Sequence, residues 1–245
     1  MILDANFKEI NHVLQSNFGT VYSVVYDRYG EGYEDGQKAE YDRFWDAFQY
    51  NGTRTYYNNA FPQGWNDVTF QPKYDFKVTE GQQMFQYSSI EDLAGILRNR
   101  GITLDLSNAT NIYMMFYWAK SLKTIPSVDT RKSTRTDLYY LFGSSPKIES
   151  IEKVILKDDG SQTFNGTFAQ DNALKEVRFE GVIGNNISFA ESSFLSNESV
   201  QSIIDHLKDL TGATAKTLTF YATVGGKLTA EQKATITAKN WTLVY

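Results

Sequence analysis

Apolar residues recur with a fixed spacing of 26 residues through the second half of the chain. With phenylalanine as the anchor, four copies of the pattern begin at Phe116, Phe142, Phe168 and Phe194. Aliphatic residues follow each anchor six positions later, at Leu122, Ile148, Leu174 and Val200, and nine positions later, at Ile125, Ile151, Val177 and Ile203. Four positions before the anchors stand Ile112, Leu138, Phe164 and Ala190, and a degenerate earlier copy contains Phe85, Ile90 and Leu93.

A period of about 20 to 30 residues is typical of solenoids, in which each copy can bury its apolar side only against its neighbours. We therefore predict an α/β solenoid over residues 81–198, with the phenylalanines and their aliphatic partners as an inward ladder. The segments "LKTIP", "IESIEKVIL" and "LKEVRFEGV" are predicted strands of a stacked sheet. The stretch before each anchor is predicted to be a short helix or turn, with Asn108 or Asn111 as N-cap in "NATNIYMMF".

The pattern changes after residue 198, which predicts a C-terminal α/β cap over residues 199–245. The segment "SNESVQSIIDHLKDLTG" is a predicted helix that ends at Gly212 and has on one face Val200, Ile203, Ile204, Leu207 and Leu210. "AKTLTFYATV" is a predicted strand. "LTAEQKATITAKNW" predicts a helix that begins at Thr229, with Gln232 completing a capping box. "WTLVY" is a predicted last strand that covers the open end.

The first 51 residues carry an apolar stripe with helical spacing. Its members include Phe7, Ile10, Leu14, Phe18, Val21, Val25, Tyr41, Phe44 and Phe48. Such a stripe either packs on the body of the protein or pairs with copies of itself, and both alternatives remain open. The steps average about 3.7 residues, close to a helix but not to a clean heptad. We predict a helical attachment or oligomerisation segment over residues 1–51, with a trimer as a hypothesis, and an aromatic linker or N-terminal cap over residues 52–80.

Composition narrows the classes of partner. The net charge is −5, and no run of five to eight Lys or Arg residues occurs, so nucleic acid is not an expected partner. The absence of cysteine removes disulfides, Cys-ligated metals and Cys nucleophiles. No stretch of 18 apolar residues occurs and the first residues do not resemble a secretory signal, so we expect neither membrane insertion nor signal-directed export.

The sequence contains few residues in patterns that are typical of catalytic or metal sites. The two histidines, His12 and His206, form no metal-binding spacing and are predicted to be solvated. The adjacent carboxylates Asp158 and Asp159 precede Gly160 and are predicted to form a turn rather than a catalytic pair. We therefore expect no enzymatic activity, no catalytic residue, no metal and no cofactor.

Aromatic residues next to the anchors are the stronger functional signal. Residues beside an inward anchor can point outward, and these are Tyr113, Tyr117, Trp118, Tyr139 and Tyr140. On one face of a solenoid such rings could bind sugar faces or a protein surface, since Tyr and Trp supply contact area at low entropic cost. The alternative is that the rings pack between the repeats and help to fill the core.

The C-terminal two-thirds of the chain resembles the BspA-type leucine-rich repeats of bacteria and their phages. The similarity lies in "SLKTIP", "ALKEVRFEGVI" and "LTAEQKATITAKNWTL". The stretch "KAEYDRFWDAFQYNGTRTYYNNAFPQGWNDVTFQPKYD", residues 38–75, is similar to a narrower group encoded among the structural genes of phages and prophages of low-GC Gram-positive bacteria. The resemblance covers roughly residues 25–245. It implies a leucine-rich-repeat fold and a virion-associated or cell-surface recognition protein without enzymatic activity.

The resulting expectation is a non-enzymatic virion structural protein, such as a tail-tip, fibre or decoration component, that presents a repeat surface to the host. Its expected partners are other virion proteins through residues 1–51, further copies of itself, and a host cell-surface glycan or protein. Its expected location is the virion, and the host cytoplasm during assembly. A bacterial surface or secreted adhesin is the alternative and predicts an export signal or wall anchor. A glycan-cleaving enzyme is a third reading and predicts a cleft with opposed carboxylates.

Overall fold

The computed structural model describes residues 74–245, the single positions 67, 70 and 72, and the backbone of residues 53–55. The predicted helical segment 1–51, with its oligomerisation residues from Phe7 to Phe48, and most of the predicted linker lie outside the described residues.

Short strands and short helices alternate along the described part of the chain. The strands are β1 (Thr53–Thr55), β2 (Phe76–Glu80), β3 (Leu104–Asp105), β4 (Thr124–Ile125), β5 (Val128–Asp129), β6 (Ser150–Ile155), β7 (Glu176–Glu180), β8 (Ile187–Phe189), β9 (Lys216–Phe220) and β10 (Trp241–Val244). The helices are α1 (Leu93–Arg100), α2 (Asn197–Asp205), α3 (Ala222–Gly226) and α4 (Ala230–Ala238). Strands form within all three repeat segments for which the sequence predicts them.

The strands pair in parallel in three small sheets. One sheet has the order β1-β2-β3, the second has β4-β6-β5 with β7 also on β6, and the third has β10-β9-β8. In the second sheet Thr124 lies opposite Ser150, and Ser150 lies opposite Glu176. The 26-residue spacing of the sequence therefore becomes the offset between neighbouring strands, and successive copies lie side by side.

A column of phenylalanine rings runs through the centre of these stacked copies. The rings of Phe85, Phe116, Phe142 and Phe168 follow one another with centroid distances of 5.3, 5.7 and 5.5 Å. The column continues to Phe189 at 4.6 Å and to Phe220 at 6.1 Å. None of the six rings is more than 2% exposed. The rings within the column thus lie between rings of neighbouring copies, and these contacts hold the copies together.

Aliphatic side chains complete the core around this column. The predicted partners six positions after the anchors, Leu122, Ile148, Leu174 and Val200, and those nine positions after, Ile125, Ile151, Val177 and Ile203, are all buried. Their prediction as core residues is confirmed. Because β4 and β5 have only two residues each, backbone pairing alone cannot hold the copies together, and side-chain burial must supply most of the stabilisation.

The fourth predicted anchor is wrong. Phe194 is 62% exposed, and the ladder position belongs to Phe189, which comes 21 residues after Phe168. The cause is the pairing of β8 with β9, since alternation along β8 turns Ile187 and Phe189 inward. Ala190, which the pattern placed in the core, is consequently exposed.

The C-terminal part follows the predicted order of elements but differs in two boundaries. The predicted helix to Gly212 stops at Asp205, because the backbone of His206 and Lys208 pairs with Ile183 instead. The predicted strand "AKTLTFYATV" ends at Phe220, and the chain continues into α3.

The predicted start of the last helix is confirmed. Thr229 and Gln232 form the capping box at the beginning of α4. The final segment "WTLVY" also contains a strand as predicted, β10, which lies at the edge of the third sheet.

The corrected ladder predicts a large loss of stability for one phenylalanine and almost none for the other. Phe189→Ala should lower the free energy of unfolding by about 3–5 kcal/mol, since it removes a buried ring from the column. Phe194→Ala should change it by less than about 0.5 kcal/mol, since that ring is mostly in water. Denaturant unfolding of both variants measures the difference, and equal losses would contradict the assignment.

Candidate functional site

The predicted binding residues lie in the turns that contain the phenylalanine anchors. These turns span residues 82–87, 113–118, 139–144 and 165–170. In the second turn the Asn111 side-chain oxygen accepts a hydrogen bond from the Tyr113 backbone N–H at 3.1 Å, so the predicted "helix or turn" is a turn. Backbone hydrogen bonds join each turn to the next, and we call the row that they form the turn edge.

Two positions in each turn adopt the left-handed backbone conformation. The first is occupied by Gln83, Met114, Tyr140 and Gly166, with φ between 47° and 64°. The second is occupied by Tyr87, Trp118, Ser144 and Gln170, with φ between 56° and 62°. A residue with a side chain costs about 1–2 kcal/mol in this conformation. Three of the eight positions nevertheless carry large aromatic residues, namely Tyr87, Trp118 and Tyr140.

Six aromatic rings on the turn edge form one continuous series. From one end to the other, the series is Tyr87, Trp118, Tyr117, Tyr140, Tyr139 and Tyr113, with successive centroids 5.3, 5.8, 5.4, 4.7 and 5.6 Å apart. We call these six residues the aromatic strip. All five residues that the sequence predicts for ligand binding belong to it.

Tyr87 is the member that the sequence analysis missed. It stands two positions after Phe85, just as Trp118 stands two positions after Phe116, so the degenerate first copy held a signal that could have found it. Tyr87 and Trp118 are the most exposed members, at 39% and 37%. The other four rings are half-buried.

One of the half-buried rings, that of Tyr140, packs closely against two glycines. A Cβ atom on Gly166 would lie 2.6 Å from Tyr140 Cε2, and a Cβ on Gly143 would lie 2.7 Å from Tyr140 Cδ1. The ring of Tyr140 therefore packs directly on the backbone of its own copy and the next. The strip thus has a packed inner side and an outer side in solvent.

A cation lies over a ring towards each end of the strip. Lys120 Nζ is 4.6 Å from the centroid of Trp118, and the Arg135 guanidinium carbon is 4.5 Å from that of Tyr113. Within residues 74–245 neither cation forms a salt bridge. Each covers part of a ring face, so the strip presents ring edges, phenolic hydroxyls and positive charge together.

The charged residues just before the strands, in contrast, pair with each other. Lys123 bonds to Glu91, and Lys175 bonds to Glu149 at 2.8 Å. Hydrogen bonding to these lysines lowers the pKa of both Glu91 and Glu149. Such exposed pairs contribute little to stability, but each of them neutralises two opposite charges.

The other predicted polar features have local structural roles. Asp158 and Asp159 lie in a turn, as predicted, where Asp159 Oδ1 accepts a hydrogen bond from Ser161 N at 2.8 Å. His206 is half-buried at the end of α2, with its Nδ1 2.7 Å from Ser202 O, rather than free in solvent. His12 lies outside the described residues. Among the residues that the structure describes, no three His, Cys, Asp or Glu side chains cluster as a metal site would require.

One carboxyl group is fully buried between copies. Asp171 occupies the repeat position of Ser145 and Ala119, and its Oδ2 has no hydrogen-bond partner within the described structure. Burial raises the pKa of Asp171 well above its ordinary value, and the neighbouring Glu191 acts in the same direction. The equivalent Ser145 shows what fits there, since its hydroxyl donates to Phe116 O at 2.8 Å and accepts from Ala119 N at 3.0 Å.

We predict that Asp171→Ser stabilises the protein. Serine can repeat the two hydrogen bonds of Ser145, and it removes an unsatisfied buried atom that costs about 1–3 kcal/mol. Because the folded-state pKa is raised, the folded protein holds a proton that the unfolded chain loses above pH ~4, and stability falls as pH rises from there towards the raised pKa.

Urea unfolding between pH 4 and pH 8 measures this effect. The Asp171→Ser variant should lose this part of the pH dependence, whereas the control Asp158→Ser, at an exposed turn position, should keep it. An unchanged slope in Asp171→Ser would contradict the assignment.

Comparisons with known proteins identify no related protein. No family model, no curated protein and no solved structure matches the chain. The described residues contain no helix that is both long and apolar enough to cross a membrane. The leucine-rich-repeat assignment and the relation to phage structural proteins therefore remain predictions from sequence.

Proposed function

We propose that this chain is a non-enzymatic recognition protein of a phage virion, built as a leucine-rich-repeat-like solenoid that presents its turn edge to a host cell. The virion assignment rests on the sequence resemblance of residues 38–75 and of the repeats. The recognition role rests on the aromatic strip. The expected partner is a glycan or protein of the host surface, and residues 1–51 would attach the protein to the particle.

The observation that carries the recognition role is the use of aromatic residues at left-handed positions. Tyr87, Trp118 and Tyr140 have φ of 61°, 56° and 47°. Ser144 and Gly166 hold the equivalent positions in other copies, so the turn itself does not require a ring there. Strained residues that the fold does not need are characteristic of functional sites.

The composition of the strip supports the same function. Tyrosine and tryptophan dominate protein recognition surfaces because they supply large contact areas with few rotatable bonds. Six rings in contact across three turns also form a surface that is already ordered before binding. A preformed surface loses little conformational entropy on binding.

Two other functions remain as alternatives. A bacterial adhesin could use the same strip, and it differs only in where the protein is attached. A glycan-cleaving enzyme would need two carboxyl groups facing one substrate. The strip offers phenols and cations instead, and so favours binding.

Removal of the two most exposed rings should impair cell binding without unfolding the protein. In Trp118→Asn and Tyr87→Asn, asparagine tolerates the left-handed conformation, so the free energy of unfolding should change by less than about 1 kcal/mol. Binding of fluorescently labelled protein to a panel of Gram-positive cells should fall about tenfold or more, as loss of an interface anchor does.

Tyr74→Asn is the matched control, since Tyr74 is a 46% exposed ring outside the strip. It should bind as the unaltered protein does. Full binding by the Trp118→Asn, Tyr87→Asn double variant would exclude the strip as the recognition surface.

The proposed attachment segment makes a separate prediction about assembly. The full chain should have the native mass of a trimer or another closed oligomer, and a chain that begins at Gly52 should be a monomer. That truncation keeps β1, which pairs with β2. Light scattering coupled to size exclusion measures both masses. A monomeric full chain would mean that the stripe packs on the body or awaits a different partner.

A further inference from the structure

A second recognition feature lies on the turn edge beyond the aromatic strip. An open trough of about 560 Å³ is lined by Pro146, Gln170, Asn172, Ala190, Glu191, Ser193 and Tyr221. Its volume falls in the range of ~300–1,000 Å³ that is usual for small-molecule sites. The trough lies where the last regular turn meets the C-terminal cap.

The trough continues two columns of positions that begin in the strip. Gln170 is the repeat equivalent of Trp118, and Asn172 is the repeat equivalent of Lys120, each 52 residues further along. Hydrogen bonds from Trp118 N to Gly143 O and from Ser144 N to Ala169 O keep these turns in line. The strip and the trough therefore follow one another along the same edge.

Three polar side chains of the trough form no hydrogen bond within the described part of the chain. Gln170 and Asn172 are exposed, and their amides make no hydrogen bond to any residue in the described part of the chain, nor does the Ser193 hydroxyl. Glu191 accepts a hydrogen bond from the Gln170 backbone N–H, which fixes its position beside them. Amide and hydroxyl groups that both donate and accept thus converge on one open space.

Tyr221 gives the trough an aromatic wall. Tyr221 is 38% exposed, and its backbone oxygen accepts hydrogen bonds from Val224 N and Gly225 N at 2.9 Å. An exposed ring beside amides and a hydroxyl matches a sugar, whose hydroxyls need donors and acceptors and whose C–H face packs on an aromatic ring.

The charge of the lining residues favours a neutral sugar over an anionic one. No lysine or arginine lines the trough, and Glu191 is its one acidic residue. A carboxylate disfavours an anionic ligand in the same space. The lining is also too polar for a purely apolar ligand, which would leave the amides without partners.

We infer that the trough at Gln170, Asn172 and Tyr221 is a binding site for a neutral sugar unit of a polysaccharide. The trough is open to solvent, so a polymer can continue beyond the bound unit. The inference does not depend on the aromatic strip being a binding surface, because the trough has its own ligand groups.

The test measures binding of neutral hexasaccharides to the full chain. Saturation-transfer NMR and calorimetry with chitohexaose, cellohexaose and maltohexaose should detect saturable binding to at least one, and hexagalacturonate should bind more weakly than that sugar. Asn172→Ala and Tyr221→Ala should each lower the affinity about tenfold, as expected for loss of a hydrogen-bonding group or a ring. Ala190→Trp, at an exposed position, should fill the trough and abolish binding.

Matched controls separate this site from the rest of the surface. Asn108→Ala and Tyr74→Ala remove an exposed amide and an exposed ring elsewhere and should leave the affinity unchanged. Cell binding by the Trp118→Asn, Tyr87→Asn double variant tests the strip, whereas oligosaccharide binding by Ala190→Trp tests the trough, so a failure of the strip and a failure of the trough are distinguishable. Absence of binding to every neutral sugar, tighter binding of hexagalacturonate, or binding that survives Ala190→Trp would each overturn the inference.

Discussion

The stacking of phenylalanine rings along the centre of the molecule is the interaction on which the rest of the structure depends. The strands are too short to form sheets that would be stable alone, and β4 and β5 contain two residues each. The ring column from Phe85 to Phe220 buries apolar area and also fixes how far each copy lies from the next. That distance must suit backbone hydrogen bonding on the strands and on the turns at once. The close spacing of the copies also makes Asp171 exceptional. Its carboxyl group occupies a buried position at which the preceding copies have Ser145 and Ala119.

Neighbouring residues in the turns have different roles: the anchors pack in the inner column, and other residues form the surface of the turn edge. In the turns around Phe85, Phe116 and Phe168 the anchor points inward, whereas the residue two positions later is exposed, as Trp118 is after Phe116. In the turn around Phe142 the equivalent residue, Ser144, is buried. The residue two positions after the anchor has the left-handed backbone conformation in all four turns, so the chain changes direction directly after the anchor. Side chains there are tied to the position of the core but contribute little to it. A rigid row of positions with variable side chains is well suited to recognition.

Much of the core could be predicted from sequence, because burial in stacked copies leaves a strict period. The positions of Leu122, Ile148 and Leu174 follow from that period alone. The failure at Phe194 has a physical cause: the last copy is shortened, and the pairing of β8 with β9 brings Phe189 into the column. Spacing cannot reveal a shortened copy when a second phenylalanine keeps the period. The aromatic strip was found for similar reasons, since its residues flank the anchors. The trough could not be predicted in this way. It brings Gln170 and Asn172 of the repeats together with Tyr221, which lies in a part of the chain without the repeat.

The parallel offset between neighbouring strands has a consequence for how such a protein can change over evolutionary time. The copy around Phe142 meets equivalent turn hydrogen bonds on both sides, from Phe116 N to Leu141 O and from Phe142 N to Thr167 O. An in-frame duplication or deletion of one whole copy therefore rejoins compatible surfaces. The turn edge can grow or shrink in units of one turn while the copies on either side stay the same. Recombination between copies could thus change the length of the turn edge without a new fold.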